Sequence, residues 1–261
     1  MELSRERERL LGRLKTRRTR EREGLFLVEG IRSAEEALAA GVRLRFAVVS
    51  PRLTELAGGT ALRERLVAAR VETVDVTDAE LGALSDTEAP QGILLVCPQP
   101  SVDAADLPSG PLLVLDGVQD PGNVGTLIRA AAAFGVRGVI ALDGTVDPYN
   151  PKAVRAAAGA IFATRVLLAS WEEVAAPLRA RGPLLLADMV GSDVASVTAS
   201  IAPGGDWALV IGGEGAGPRT AVRGAAEGSV CIPMPGGADS LNAGVAGAIL
   251  LYVLTRESTR G

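Results

Sequence analysis

The chain has 261 residues, 27 Lys and Arg against 31 Asp and Glu for a formal charge of −4, and no histidine. The length admits one large domain or two ordinary ones, at roughly 100–200 residues each. The missing imidazole excludes a Ser-His-Asp triad, a Cys-His pair and any His-ligated metal, so no metal site is expected.

Cys97 and Cys231 lie in apolar runs and form no CxxC pair. That excludes a zinc knuckle and reads as two buried free thiols in a reducing compartment. No apolar run reaches the ~18–20 residues of a membrane span, and the charged start has no signal-peptide core. A soluble, cytoplasmic protein with no membrane contact is expected.

In chain order, residues 5–22 come first, with nine basic groups against three acidic ones. The net +6 leaves −10 on the remainder. A basic arm on an acidic body reads as a polyanion contact through residues such as Arg13, Arg17, Arg18 and Arg20. The competing reading is a solvated Arg/Glu helix stitched by i,i+4 pairs. Beyond the arm, the pattern predicts strands at 25–29, 45–50, 71–76 and 92–97. Helices are predicted at 31–40, 61–69 and 78–84. Four prolines between 98 and 111 mark a linker, so the expected domains are 1–100 and 112–261, joined by 101–111. In the second, strands are predicted at 112–115, 138–142, 165–168, 184–187, 207–211 and 230–232. Helices are predicted at 124–134, 152–162, 171–181 and 241–255. Apolar strands alternating with helices argue an α/β fold with a parallel sheet covered on both faces.

Three strand ends run into unusual loops, where ligands of α/β sheets bind. The first is DGVQDPGNVGTLIR, 116–129. Asn123 reads as the N-cap of the next helix, and Arg129 lies within its first two turns. A helix N-terminus with an Arg fits a phosphate; a plain cap and a surface charge fit as well. The second is IGGEGAGP, 211–218, whose glycines permit close backbone approach. Its spacing fails the dinucleotide fingerprint, and no P-loop signature exists. The third is IPMPGGADSLNAG, 232–244, with Ser240 as a fair N-cap for the final helix.

Together the NxGxxxR, IGxEGxG and IPMxGxxxSLN patterns, in that order, resemble the SpoU (TrmH-like) RNA 2′-O-ribose methyltransferases of the SPOUT superfamily. The N-terminal portion, with Phe26-Leu-Val-Glu29-Gly30 and Pro90-Gln91-Gly92-Ile93, is similar to that family's substrate-binding domain. That domain resembles a ribosomal RNA-binding protein and points to rRNA more than tRNA.

The resemblance implies a mostly parallel C-terminal sheet with a deep trefoil knot, a homodimer through the last helix, and S-adenosylmethionine as cofactor. Knots are nearly absent from proteins, and no periodicity here indicates one. The cofactor residues implied are Ala187, Asp188 and Met189; Ile211, Gly212, Gly213 and Gly217; and Ile232, Pro233, Met234, Leu241 and Asn242. The implied catalytic set is Asn123, Arg129, Glu214, Ser240 and Asn242, with Arg129 also touching RNA. A guanidinium is a poor base. Its fitting role is to hold a neighbouring phosphate and stabilise alkoxide charge. Glu214 is expected to anchor Arg129 or its own loop. The chain departs from the family pattern at Gly213, often Asn, and at Ala243-Gly244, often Val-Ser. A tRNA enzyme and a non-catalytic RNA-binding relative are the alternatives.

Overall fold

The basic arm folds as two helices, α1 (Arg5–Leu14) and α2 (Arg17–Glu23). Arg20 makes the break. Its guanidinium is buried and donates at 2.9 Å to the carbonyls of both Leu14 and Lys15, acceptors that the end of α1 leaves unpaired. Leu11 and Leu14 close over the sheet below.

In this computed structural model, residues 3–100, 102–198, 201, 205–237 and 240–256 are described. The arm leads into β1 (Leu25–Glu29), α3 (Ile31–Ala39), β2 (Phe46–Val49), α4 (Arg52–Glu55) and α5 (Gly59–Ala68). Then come β3 (Thr73–Asp75), α6 (Asp78–Leu84) and β4 (Ile93–Pro98). The short α4 has no counterpart in the sequence reading. The strand order is β1-β4-β2-β3, antiparallel except for β2 with β3. One face buries Leu27, Phe46, Val48, Leu94 and Val96 under α1 and α6.

The second sheet is built from β5 (Leu112–Asp116), α7 (Pro121–Ala133) and β6 (Gly138–Leu142). The chain then forms α8 (Pro151–Ala157), β7 (Arg165–Ala169), α9 (Trp171–Arg181), β8 (Leu184–Asp193) and α10 (Val194–Thr198). It ends with β9 (Ala208–Gly212), α11 (Thr220–Arg223), β10 (Gly228–Cys231) and α12 (Ala243–Arg256). All six strands are parallel, in the order β10-β8-β9-β5-β6-β7. Leu112, Val114, Ile140, Leu167 and Val210 pack on one side with Trp171, Val174 and Leu178 of α9. On the other, α12 lies against α7 and β9. No helix among the described residues is long and apolar enough to cross a membrane.

The chain divides into two compact units, and the division is not contiguous. Residues up to Gln99 form the first together with Tyr149–Ala163; Pro100–Pro148 and Thr164 onward form the second. Aromatic packing explains the return: Phe26 of β1 has Tyr149 at 4.9 Å and Phe162 at 6.0 Å between ring centroids. The helix expected over 152–162 also breaks, because Ala158 takes a left-handed conformation (φ 49°) and a 3₁₀ turn, Ala160–Phe162, follows. Cys97 is buried in β4, where desolvation pushes its thiol far up. Cys231, expected to be buried, is only half-buried, and its Sγ donates to the Gly191 carbonyl at 3.2 Å.

Candidate active site

A cavity of about 460 Å³ opens beside the carboxyl ends of β8, β9 and β10. Three segments line it: Ala187–Met189, Ile211–Pro218, and Val230, Ile232 and Met234. Ser240 and Leu241 close it, with Ala243, Ala246 and Leu250 from α12. The last of the three loops is described at 232–237 and 240–242.

The loop after β9 is a closed turn. Gly213 N–H donates to Asp116 O at 2.9 Å, and Gly217 N–H to Gly213 O at 3.0 Å. Chain crossings leave no room for side chains here. A Cβ at Gly212 would lie 2.3 Å from Pro218 N, and one at Gly213 would lie 2.4 Å from Gly117 O. These glycines serve the loop's own backbone. Behind it, the buried Asp116 carboxylate accepts from Arg219 N at 2.7 Å and Arg219 Nε at 2.6 Å, which fixes where the turn ends.

Glu214 reaches out of this turn to α7. Its carboxylate accepts from Asn123 Nδ2 at 2.9 Å, Gln119 N at 3.2 Å and Asp120 N at 3.4 Å. Desolvation works to raise its pKa. The hydrogen bonds from Asn123 and from the backbone of Glu214, Gln119 and Asp120 together outweigh that and hold it below the ordinary carboxylate range. Asn123 is not the N-cap expected from sequence. Asp120 caps α7, its Oδ1 accepting from Asn123 N at 2.9 Å, and Pro121 occupies the first turn, a position suited to a residue without N–H. Asn123 therefore sits inside the first turn, buried, with its amide free to meet Glu214.

The cap of α12 moves in the same way. Asn242 Oδ1, not Ser240, accepts from Val245 N at 3.2 Å, and Ser240 faces the cavity. β8 supplies the remaining wall. Its register against β10 jumps from Leu186↔Ser229 to Ser192↔Val230, so residues 187–191 swing out and carry Asp188 to the cavity. Asp188 Oδ2 accepts from Arg223 at 2.7 Å. That bond, then the Val190 backbone N–H, holds the Asp188 carboxyl below its ordinary range.

The cavity thus gathers Ala187, Asp188, Met189, Ile211, Gly212, Gly213, Gly217, Ile232, Met234 and Leu241, with Glu214 and Ser240. Pro233 and Asn242 adjoin it without lining it. Arg129 does not line it either; it stands exposed on α7, its side chain making no hydrogen bond or ion pair among the described residues. Asp116, Arg219, Arg223 and Gly191 were missed in the sequence. Their partners lie 35 or more residues away or at an unforeseen register jump, and no local spacing signals that. Of the arm cations, Arg17 is bonded to Glu21 at 2.7 Å, and Arg13 and Arg18 are exposed. Arg20 is a correction: buried against the end of α1, it cannot face RNA. Among the described residues, no group of three His, Cys, Asp or Glu is placed to hold a metal ion.

The SpoU rRNA Methylase family model matches residues 110–252. The chain belongs to the SpoU rRNA methylase family. An MRM3-like substrate binding domain matches residues 7–95 of this SpoU protein. It is 31% identical to the Bacillus subtilis 23S rRNA (guanosine(2553)-2′-O)-methyltransferase RlmP, over 93% of both chains. The crystal structure of the SpoU methyltransferase AviRb from Streptomyces viridochromogenes, in complex with the cofactor AdoMet, superposes with a TM-score of 0.86. It is 31% identical and covers 99% of this chain and 100% of that one. An AdoMet-bound rRNA methyltransferase from Sinorhizobium meliloti has a TM-score of 0.83 at 26% identity, covering 98% and 97%. The fold is therefore the SpoU fold.

Proposed function

We propose that this chain transfers the methyl group of S-adenosylmethionine to a ribose 2′-hydroxyl of 23S ribosomal RNA, in the cytoplasm. The observation that carries the reading is the Glu214 bridge. One carboxylate belongs to the cavity loop and also holds the first turn of α7, the helix that displays Arg129. The cavity loop and the helix that carries Arg129 are thereby tied together.

The residues present fit the cofactor. About 460 Å³ lies within the usual range for small-ligand sites. The walls are apolar side chains and glycine backbone, suited to an adenosyl group, and the Asp188–Arg223 pair offers both charges at the rim. When bound, the cofactor supplies a methyl group on a sulfonium. The protein's share is alignment of the ribose hydroxyl with that methyl, worth several kcal/mol where geometry is held. Arg129 is free to hold the neighbouring phosphate and to stabilise alkoxide charge as the 2′-oxygen loses its proton. Asn123 and Asn242 are spent on Glu214 and on the α12 cap, so they position the site.

The SpoU protein also works as a homodimer in this reading. Val245, Ile249 and Tyr252 form an exposed apolar face on α12, at spacings of four and three residues.

The experiment is transfer of labelled methyl from S-adenosylmethionine to 23S rRNA, with the modified ribose mapped. Arg129→Ala is expected to lower transfer about 10²–10³-fold, the scale for removing one oxyanion donor. Calorimetric cofactor affinity is expected to stay unchanged. Full transfer by Arg129→Ala overturns the assigned role; a well-folded wild type that binds no cofactor overturns the reaction.

A further inference from the structure

The structure sorts the arm's cations by what they already do. Arg7 lies 4.9 Å over the Phe46 ring and bonds Glu72 at 2.7 Å. Arg20 closes the end of α1, Arg17 bonds Glu21, and Arg22 bonds Glu23 at 2.7 Å. Lys15 bonds Asp86 at 2.9 Å. These serve the fold of the N-terminal unit.

Arg18 is also exposed, but it stands on α2. Arg5, Arg9 and Arg13 share one helix, α1. All three are exposed, and none has an ion pair among the described residues; Arg13 spends only its Nε, on the Arg9 carbonyl at 3.3 Å. At 100° per residue they fall within about 80° of arc, spread over roughly 12 Å of helix. Leu11 and Leu14 anchor the opposite side. Glu6 and Glu8 flank the stripe near its start, where the helix dipole favours acids.

A second observation concerns Gly12, which lies on the same outer face. A glycine inside a helix costs about 1 kcal/mol relative to alanine. Packing does not require this one, because a Cβ there would meet nothing within 4 Å. Beside the stripe it leaves bare backbone, where a bulky chain can come close.

We infer that the outer face of α1, made of Arg5, Arg9, Arg13 and Gly12, is a docking surface for the phosphate backbone of the RNA substrate. This rests on the RNA reading above and narrows it to one face of one helix. It moves the contact off Arg17 and Arg20, which the charge run alone implicated.

The test is fluorescence anisotropy of a labelled hairpin RNA with the full chain, across a salt series. Each phosphate contact contributes about 0.7–0.9 to the slope of log K against log salt. The R5A/R9A/R13A variant is expected to flatten that slope by about two units and to weaken binding more than about ten-fold near 0.1 M salt. Gly12→Gln keeps the test falsifiable should the triple variant misfold. It adds bulk without charge and is expected to raise Tm while weakening RNA binding. An unchanged slope in the folded triple variant, or unchanged RNA affinity in Gly12→Gln, overturns the docking face. Calorimetry with S-adenosylmethionine separates the two levels. Intact cofactor binding with an unchanged slope sinks only the α1 face, whereas a wild type binding neither cofactor nor RNA sinks the reading beneath it.

Discussion

The Glu214 carboxylate takes three hydrogen bonds from three residues of the α7 start. An ionised carboxylate is acceptor-only, with about four lone-pair sites, whereas an amide turns one end into a donor. Glu214→Gln therefore keeps the shape but sets an NH₂ against Asn123 or the backbone N–H groups. At roughly 1.5–3 kcal/mol for a hydrogen bond to a charged group, discounted for the exposure of Glu214, about 1 kcal/mol is at stake. The expected result is a small drop in Tm with a several-fold loss of methyl transfer, read from melting curves and initial rates. The pH dependence has a definite sign. The folded pKa of Glu214 lies below its ordinary value, so its contribution is complete above that ordinary value and is lost as pH falls through the lower folded one. The wild type should lose cofactor affinity in that acid window, and Glu214→Gln should flatten the loss; identical acid profiles would show that Glu214 is not the group responsible. The residue types at 123 and 214 were legible in the sequence. Their partnership was not, since 91 residues separate them and each also reads as an ordinary cap or loop acid.

Helix α12 reaches α7 through two glycines one turn apart, and they do different things. A Cβ on Gly247 would lie 2.2 Å from Leu127 Cδ2 and 3.4 Å from Ile211 Cδ1, inside a packed core. A Cβ on Gly244 would meet Asn123 Oδ1 and Asn242 Oδ1, each at 3.2 Å. Gly247→Val overpacks the α7–α12 seam, and such insertions cost about 1–3 kcal/mol. In a chain of this size that lowers Tm by about 2–4 °C per kcal/mol. Gly244→Ala needs only a few tenths of an ångström, but it takes them from the amide that holds Glu214. It is expected to leave Tm nearly unchanged and to reduce transfer. Equal thermal losses in both variants would refute this division. Which element comes close to the glycines at 244 and 247 is not readable from their spacing, since Asn123 and Leu127 lie more than 100 residues away. The caps were misplaced by two or three residues, because Asp120-Pro121 and Asn242 compete with Asn123 and Ser240 as helix starts, and only the folded loops choose between them.

At the scale of the whole molecule, the two sheets followed from short apolar runs alternating with helical stretches, which are local properties. The return of residues 149–163 to the first unit did not, because it depends on Phe26 meeting Tyr149 and Phe162. Nor did the outswing of 187–191, since a register jump leaves no mark on hydropathy. The threading implied by the family resemblance is invisible to periodicity for the same reason. Quaternary structure sits between these cases, because the outer face of α12 can be read directly. Val245, Ile249 and Tyr252 are 47%, 37% and 46% exposed, while Ala246 and Leu250 of the same helix line the cavity. Pairing of two copies across a two-fold axis would set each such face against its own copy. Ile249→Asp would then bring two carboxylates together at the centre of a dry seam, with a cost of about 2 kcal/mol or more, on the scale of interface hot spots. Sedimentation of the wild type is expected to report a dimer, and of Ile249→Asp a shift toward the single-chain mass. Cofactor affinity is expected to persist, because Ile249 itself does not line the cavity. A monomeric wild type at micromolar concentration, or a dimer untouched by Ile249→Asp, would remove α12 as the pairing face.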